Sequence, residues 1–253
     1  MTTHAIAVGT DKRSIAAEVQ EGGEPGLFFL GGFDSSMQGT KAQFVRQLGA
    51  ELDLRSIFFD YSGHGVSGGD FLDGTISRWL EESRAVFDTC AADSNLLIGS
   101  SMGGWLALLL NRMLRAEGDA RVKGIILIAP ATDMTNDLLL DILTPAEKAE
   151  LERDGRVTRP SGFDDPHVFT GTLIDDGAQH LLFGGKIVTG CPVHILQGGK
   201  DMAVPPAHAQ KLMDHLPLDV AKLTLVPNGD HSLSRPGDLA LLRRAIETML
   251  EMD

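Results

Sequence analysis

The chain has 253 residues, 43% of them hydrophobic and 23% charged, a composition of globular proteins in the size range that α/β folds fill as one domain. A formal net charge of −13, with no basic run to displace phosphate counterions, excludes nucleic acid and disfavours anionic membrane surfaces as partners. No apolar stretch reaches membrane-spanning length, no secretory or Arg-rich transit segment opens the chain, and the distant Cys90 and Cys191 read as free thiols, so a cytoplasmic protein is expected.

In chain order, "HAIAV" (4–8) and "SIAAEV" (14–19) flank "GTDKR" and predict an N-terminal antiparallel hairpin. "GLFFLGG" (26–32) reads as a third strand, "TKAQFVRQLGAEL" (40–52) as a helix and "SIFFDYSG" (56–63) as a fourth strand. The helical "TISRWLEESRAVFDTC" (75–90) leads to strand "NLLIGSS" (95–101), helix "GWLALLLNRMLRAEG" (104–118) and strand "GIILIAP" (124–130). After a long interval come strand "VHILQGGKD" (193–201), helix "PAHAQKLMDHL" (206–216), strand "KLTLVPNGD" (222–230) and helix "PGDLALLRRAIETMLEMD" (236–253). Proline stands at or near the start of both last helices, where its missing N–H costs nothing. The last six strand candidates are short and continuously apolar, as strands buried on both faces are.

Alternating strands and helices imply an α/β fold: an eight-stranded, mostly parallel sheet flanked by helices, with right-handed crossovers. Between the sixth and seventh strands about sixty residues intervene, too many for a simple loop. They contain the helix-like "TPAEKAELERDG" (144–155) and the Pro- and Gly-punctuated "TRPSGFDDPHVFTG" (158–171). The expectation is a single domain with core 1–131 and 191–253 and an inserted cap at 132–190. The cap's apolar clusters "LLLDIL" (138–143) and "HLLFGG" (180–185) are expected to divide between packing on the sheet and lining an acyl pocket.

The fifth strand runs into Gly99-Ser100-Ser101-Met102-Gly103, which fits G-x-S-x-G. A nucleophile on a tight strand-to-helix turn is strained, and glycines on either side remove the clashes neighbouring side chains would cause. With Ser101 central, Gly99 and Gly103 flank it; with Ser100 central the flanks would be Ile98 and Met102. Ser101 is therefore the candidate nucleophile, and Ser100 supports the turn.

A serine hydroxyl needs a base, and the base needs a carboxylate to hold its tautomer. Elbow sheets of this kind order the three as serine, acid, histidine. Of eight histidines, His208 and His215 fall in a helix and read as surface residues, His194 lies in a strand, and His167 and His180 fall in the cap. His4 is in the first hairpin and His64 in a Gly-rich turn; only His231 follows the last strand. Asp201 follows the seventh strand and is the candidate acid. Asp133, after the sixth strand, is its serious rival; Asp230 is a weaker one because it adjoins His231. Two backbone N–H groups are expected to hold the oxyanion: that of Met102, and that of Phe33 in "Leu30-Gly31-Gly32-Phe33", with Gly32 as the next choice.

With these residues placed, the chain resembles the α/β-hydrolase superfamily over nearly its whole length. "Asp60-Tyr61-Ser62-Gly63-His64-Gly65-Val66-Ser67" is similar to the family's D-x-x-G-x-G-x-S turn, and "GGKDMAVP" to its G-x-x-D-x-x-V-P acid loop. "GGFDSSMQGTKA", "FFDYSGHGVSGGDF", "IGSSMGGWLALLL" and "HILQGGKDMAVP" together resemble the mycophenolic-acid acyl-glucuronide esterases, also described as palmitoyl-protein thioesterases. Animal members of that subgroup are mitochondrial; a first strand so near the start of this sequence leaves no room for a transit peptide and suggests a bacterial relative. The resemblance implies ester and thioester hydrolysis without establishing a glucuronide or a palmitoyl substrate; a small-molecule acyl ester or thioester is the expected partner.

Three other functions fit parts of the pattern. A serine peptidase or amidase is one; prolyl-peptidase catalytic domains share the fold but usually carry an additional domain, for which 253 residues leave little room. A non-catalytic binding module predicts the loss of a triad member, and none is missing. A haloperoxidase or C–C bond hydrolase shares the triad. No metal or organic cofactor motif is visible, so none is expected.

Overall fold

Continuously apolar strands need cover on both faces, and the chain supplies it by returning a helix across the sheet after most of them. The computed structural model describes residues 1–160, 166–216 and 221–252. The N-terminal half runs β1 (Thr2–Val8), β2 (Arg13–Gln20), β3 (Gly23–Leu30), α1 (Thr40–Glu51), β4 (Leu54–Phe59), α2 (Ile76–Cys90), β5 (Asn95–Ser100), α3 (Met102–Ala116) and β6 (Val122–Ile128). Then follow α4 (Pro145–Asp154), β7 (Arg156–Arg159), β8 (His167–Thr170), α5 (Gly171–Gly177), β9 (Val193–Gly198), α6 (Pro206–His215), β10 (Ala221–Val226) and α7 (Pro236–Leu250).

Eight strands form one sheet in the order β1-β2-β4-β3-β5-β6-β9-β10. The pairs β1–β2 and β2–β4 are antiparallel, and every pair from β4 to β10 is parallel. One face is covered by α2, α3 and α6, which bury Trp79, Phe87, Trp105, Leu109 and Leu212. The other is covered by α1 and α7 through Val45, Leu48, Leu242 and Ile246. This is the α/β-hydrolase architecture.

The register brings the chemistry-bearing loops to one edge. Leu30 pairs with Gly99 and Gly99 with Leu127, while Ile128 pairs with Leu196 and Gly198 with Val226. The loops after β3, β5, β6, β9 and β10 therefore leave the sheet side by side at the C-terminal ends of parallel strands, where open α/β sheets bind ligands.

The expectation that the last six strands are buried on both faces fails for β10. It lies at the sheet's margin with β9 as its one neighbour, and its Leu225 is 50% exposed. An apolar run reports hydrophobicity but not position in the strand order.

Between β6 and β9 the chain makes a long excursion. It opens with a π-helical turn over Thr135–Leu139. Helix α4, expected within 144–155, starts on a capping box between Thr144 and Glu147. Strands β7 and β8 form an antiparallel pair that the sequence reading did not anticipate. At four residues each they are too short for a period to show. Residues 161–165 of the Pro- and Gly-punctuated stretch lie outside the described residues. Leu139, Leu143, Val157 and Ile174 give the excursion a small core of its own.

Candidate active site

Strand β5 ends at Ser100 and α3 begins at Met102, so one residue makes the turn. That residue, Ser101, has φ 55° and ψ −120°. Such a conformation costs an L-residue of order 1–3 kcal/mol and persists only where its surroundings enforce it. The flanking glycines allow the enforcement. A Cβ on Gly99 would stand 2.4 Å from the Gly103 carbonyl oxygen, and one on Gly103 would stand 2.2 Å from that of Leu30. Backbone bonds complete it: Ser101 N–H donates to the Ile128 carbonyl at 2.9 Å, and the Ser101 carbonyl accepts from Gly104 (2.9 Å) and Ala131 (3.1 Å).

The Ser101 hydroxyl meets His231 Nε2 at 3.1 Å, across 130 residues of sequence. On the other side of the ring, His231 Nδ1–H donates to Asp201 Oδ2 at 2.8 Å. The Asp201 carboxylate is fully buried, whereas the His231 side chain is 32% exposed. Asp201 Oδ1 accepts the N–H groups of Ala203 (2.9 Å) and Val204 (2.8 Å) from its own turn. Gln197 Nε2 donates to Oδ2 at 3.1 Å. The carboxylate is thus held on every side, with one lone pair left for the imidazole.

The rival acids are engaged elsewhere. Asp133 accepts the N–H groups of Leu182 (2.8 Å) and Phe183 (2.9 Å), tying the end of the excursion to the loop after β6. Burial pushes its carboxyl above the usual range. Asp230 accepts the Leu233 N–H at 3.0 Å within its own turn.

Met102 is the first residue of α3, so its N–H has no acceptor within the helix and sits at the positive end of the helix dipole. The Gly31–Phe33 segment lies against Ser101: a Cβ on Gly32 would be 3.3 Å from Ser101 Cβ. No hydrogen bond among the described residues takes up the Phe33 N–H. The Phe33 ring stacks on Phe169 of β8, with centroids 4.9 Å apart and planes at 10°.

One histidine departs from its sequence reading. His208 is buried, not a surface residue, and its Nε2–H donates to the Thr132 carbonyl at 2.8 Å. Helix α6 turns this face, with Ala209 and Leu212, inward. His194 lies in β9, as read, within 2.9 Å of Thr224 Oγ1. Sequence reasoning missed Gln197 and also Lys41, whose Nζ donates to the Ser232 carbonyl at 2.6 Å. Gln197 carries a sequence signal, being a polar residue inside an apolar strand run; Lys41 sits in the helical stretch 40–52, where no local pattern points to its partner. Among the described residues no three His, Cys, Asp or Glu side chains are grouped to hold a metal ion.

The sequence matches the family model described as Alpha/beta hydrolase family over residues 27–240. It is 31% identical to the Mus musculus protein named "Palmitoyl-protein thioesterase ABHD10, mitochondrial" over 242 residues, 94% of this chain and 79% of the mouse protein. Among solved structures, the one named "Putative hydrolase" from Agrobacterium vitis S4 superposes with a TM-score of 0.95 at 50% identity, covering 98% of each chain. Mouse alpha/beta hydrolase domain-containing protein 10 superposes with a TM-score of 0.88 at 28% identity, covering 100% of this chain and 99% of the mouse chain.

Proposed function

The chain belongs to the alpha/beta hydrolase family, and from that membership we propose that it is a serine hydrolase cleaving carboxylic esters or thioesters through an acyl-enzyme. Ser101 is the nucleophile, His231 the general base and Asp201 the acid that orients it; the Phe33 and Met102 amides form the oxyanion hole. The observation that carries this reading is the relay of Ser101, His231 and Asp201, spaced at 3.1 and 2.8 Å on a serine with positive φ.

In the first half-reaction His231 Nε2 takes the Ser101 proton as Oγ attacks the acyl carbon. Negative charge moves to the carbonyl oxygen, where the two amides meet it already oriented. Asp201 stabilises the imidazolium. The tetrahedral intermediate collapses, the C–O or C–S bond breaks, and His231 returns the proton to the departing alcohol or thiol. In the second half-reaction water attacks the ester of Ser101, His231 takes its proton, and collapse releases the carboxylic acid and restores Ser101. The chemistry acts on the acyl carbon and requires little of the leaving group, so esters and thioesters are both served. The name of the mouse relative supports the thioester side.

Segment 132–190 serves this single domain as a cap over the site, a role supported by the Phe33–Phe169 stack and by the Asp133 bonds to Leu182 and Phe183. The free, buried Cys90 and Cys191 support a cytoplasmic setting; the mouse relative carries "mitochondrial" in its name. No helix among the described residues is long and apolar enough to cross a membrane. The test is a purified-protein screen over acyl esters, acyl thioesters and aminoacyl amides. Ser101-dependent turnover of the first two is expected; turnover of amides alone would favour the peptidase reading.

A further inference from the structure

The turn Asp60-Tyr61-Ser62-Gly63-His64-Gly65-Val66-Ser67 contributes no side chain to the Ser101–His231–Asp201 relay. Yet Asp60, Tyr61, Ser62 and His64 are all buried. Its polar groups converge on the loop after β3, the loop that carries the Phe33 amide. Asp60 Oδ1 accepts the Met37 N–H at 2.6 Å, while Oδ2 accepts the Val66 N–H at 2.9 Å within the turn. His64 Nε2 lies 3.1 Å from the Asp34 amide nitrogen. A backbone N–H can only donate, so Nε2 must carry the lone pair and the ring proton sits on Nδ1. That proton reaches the Ser62 carbonyl at 3.2 Å.

We propose that His64 is the positioning residue of the oxyanion hole, its neutral ring holding the Asp34 N–H so that the preceding Phe33 N–H stays turned toward the reacting carbonyl. The inference rests on the hydrolase reading above. Asp34 has φ 55°, in the left-handed region that aspartate tolerates better than most residues, and its N–H bond to His64 helps to hold it there. Clamping the loop at Asp34 and Met37 leaves little freedom to the Phe33 peptide between Gly32 and Asp34. An oxyanion hole works by being oriented before charge develops, so this fixing is worth rate.

The ring's surroundings keep it an acceptor. Tyr61, Phe71 and Trp79 pack around it, with centroids 5.5, 5.1 and 5.3 Å away. Burial holds the ring below the usual imidazole range, outweighing the bond to the Ser62 carbonyl and the carboxylates of Asp34 and Asp60, the charged groups facing it, all of which favour protonation. The Tyr61 hydroxyl, itself pushed far up by burial, stays neutral. A protonated ring would turn a second donor toward the Asp34 N–H and open the clamp.

Two substitutions separate the ring's two bonds. In His64→Gln the side-chain oxygen reaches the Nε2 position and still accepts from Asp34, but the Ser62 bond is lost. In His64→Asn the amide reaches only the Nδ1 position, so the Ser62 bond is kept and the Asp34 bond is lost. Each full-length variant is assayed for kcat and KM on a p-nitrophenyl ester, for thermal midpoint, and for affinity toward a trifluoromethyl ketone that places an anionic oxygen in the hole. His64→Asn is expected to lose about tenfold to a hundredfold in kcat and to weaken ketone binding in proportion, with KM unchanged; His64→Gln is expected to stay near wild type. An Asn variant with wild-type kcat and ketone affinity, or a folded Gln variant as impaired as Asn, overturns the clamp while the hydrolase reading stands. A wild-type protein with no Ser101-dependent turnover overturns both.

Discussion

Lys41 donates from Nζ to the carbonyl of Ser232, the residue after His231, at 2.6 Å. A side chain at the start of α1 thus braces the loop that carries the proposed base. Burial pulls this lysine down to about 8, against the upward pull of Asp230 and Asp201. The charged form, which makes the stronger bond and faces both carboxylates, is therefore present below about pH 8 and lost above it. We expect kcat/KM to fall on an alkaline limb centred near pH 8. Lys41→Arg keeps its charge throughout and should remove the limb; Lys41→Met should lower activity and flatten the profile. An unchanged limb in Lys41→Arg would assign it to another group.

The strained serine and the base beside it should make Ser101 reactive toward a fluorophosphonate. One adduct is expected, on the peptide spanning 99–103. Ser101→Ala should abolish labelling. Ser100→Ala should retain some, because Ser100 is a buried strand residue paired with Ile128 and takes no part in the bond to His231. Mass spectrometry of the digested adduct decides it, and labelling that survives Ser101→Ala refutes the assignment.

The two buried aspartates should separate by phenotype. Asp201→Asn should cut kcat by about 10⁴-fold with the fold intact, the loss seen when a triad aspartate is neutralised. Asp133→Asn should leave kcat nearly alone and lower the thermal midpoint, because its carboxylate holds the Leu182 and Phe183 amides. The cost is expected near 1–3 kcal/mol if those donors lose their acceptor. The reverse ranking would move the acid to the loop after β6.

The elbow is readable from sequence because its cause is local. The clash that demands Gly99 is with the Gly103 carbonyl four residues on, and the G-x-S-x-G spacing records that; the carbonyl of Leu30 that demands Gly103 comes from another strand. Asp201 and His231 are readable because each follows a strand end in a parallel sheet. Other features depend on partners that sequence spacing does not encode. His208 finds its acceptor at Thr132, 76 residues away, so an amphipathic helix alone shows it as a surface residue. Lys41 finds Ser232 191 residues away. The partial exposure of β10 follows from strand order, which an apolar run does not contain. In the excursion, β7 and β8 take their strand character from each other and not from a period of their own.

Substrate choice should follow the wall nearest Ser101. The clusters expected to line an acyl pocket are largely spent on packing: Leu139 and Leu143 fill the excursion's own core, and Leu182 joins the main one. The loop that lies against Ser101 brings an aromatic cluster with it. Phe33 adjoins Gly32, stacks on Phe169 and meets Phe71 edge-on at 4.9 Å. An acyl chain lying on this surface gains about 0.8 kcal/mol per buried methylene, or roughly fourfold in kcat/KM, until the surface is covered. The p-nitrophenyl ester series should therefore rise from acetate to a medium-chain optimum, and an acyl thioester of that length should also be cleaved. Phe169→Ala removes one side of the wall and should flatten the series while leaving acetate hydrolysis unchanged, since acetate is too short to use it. A wild-type series that is flat, or peptide amides hydrolysed faster than every matched ester and thioester, would sink the idea.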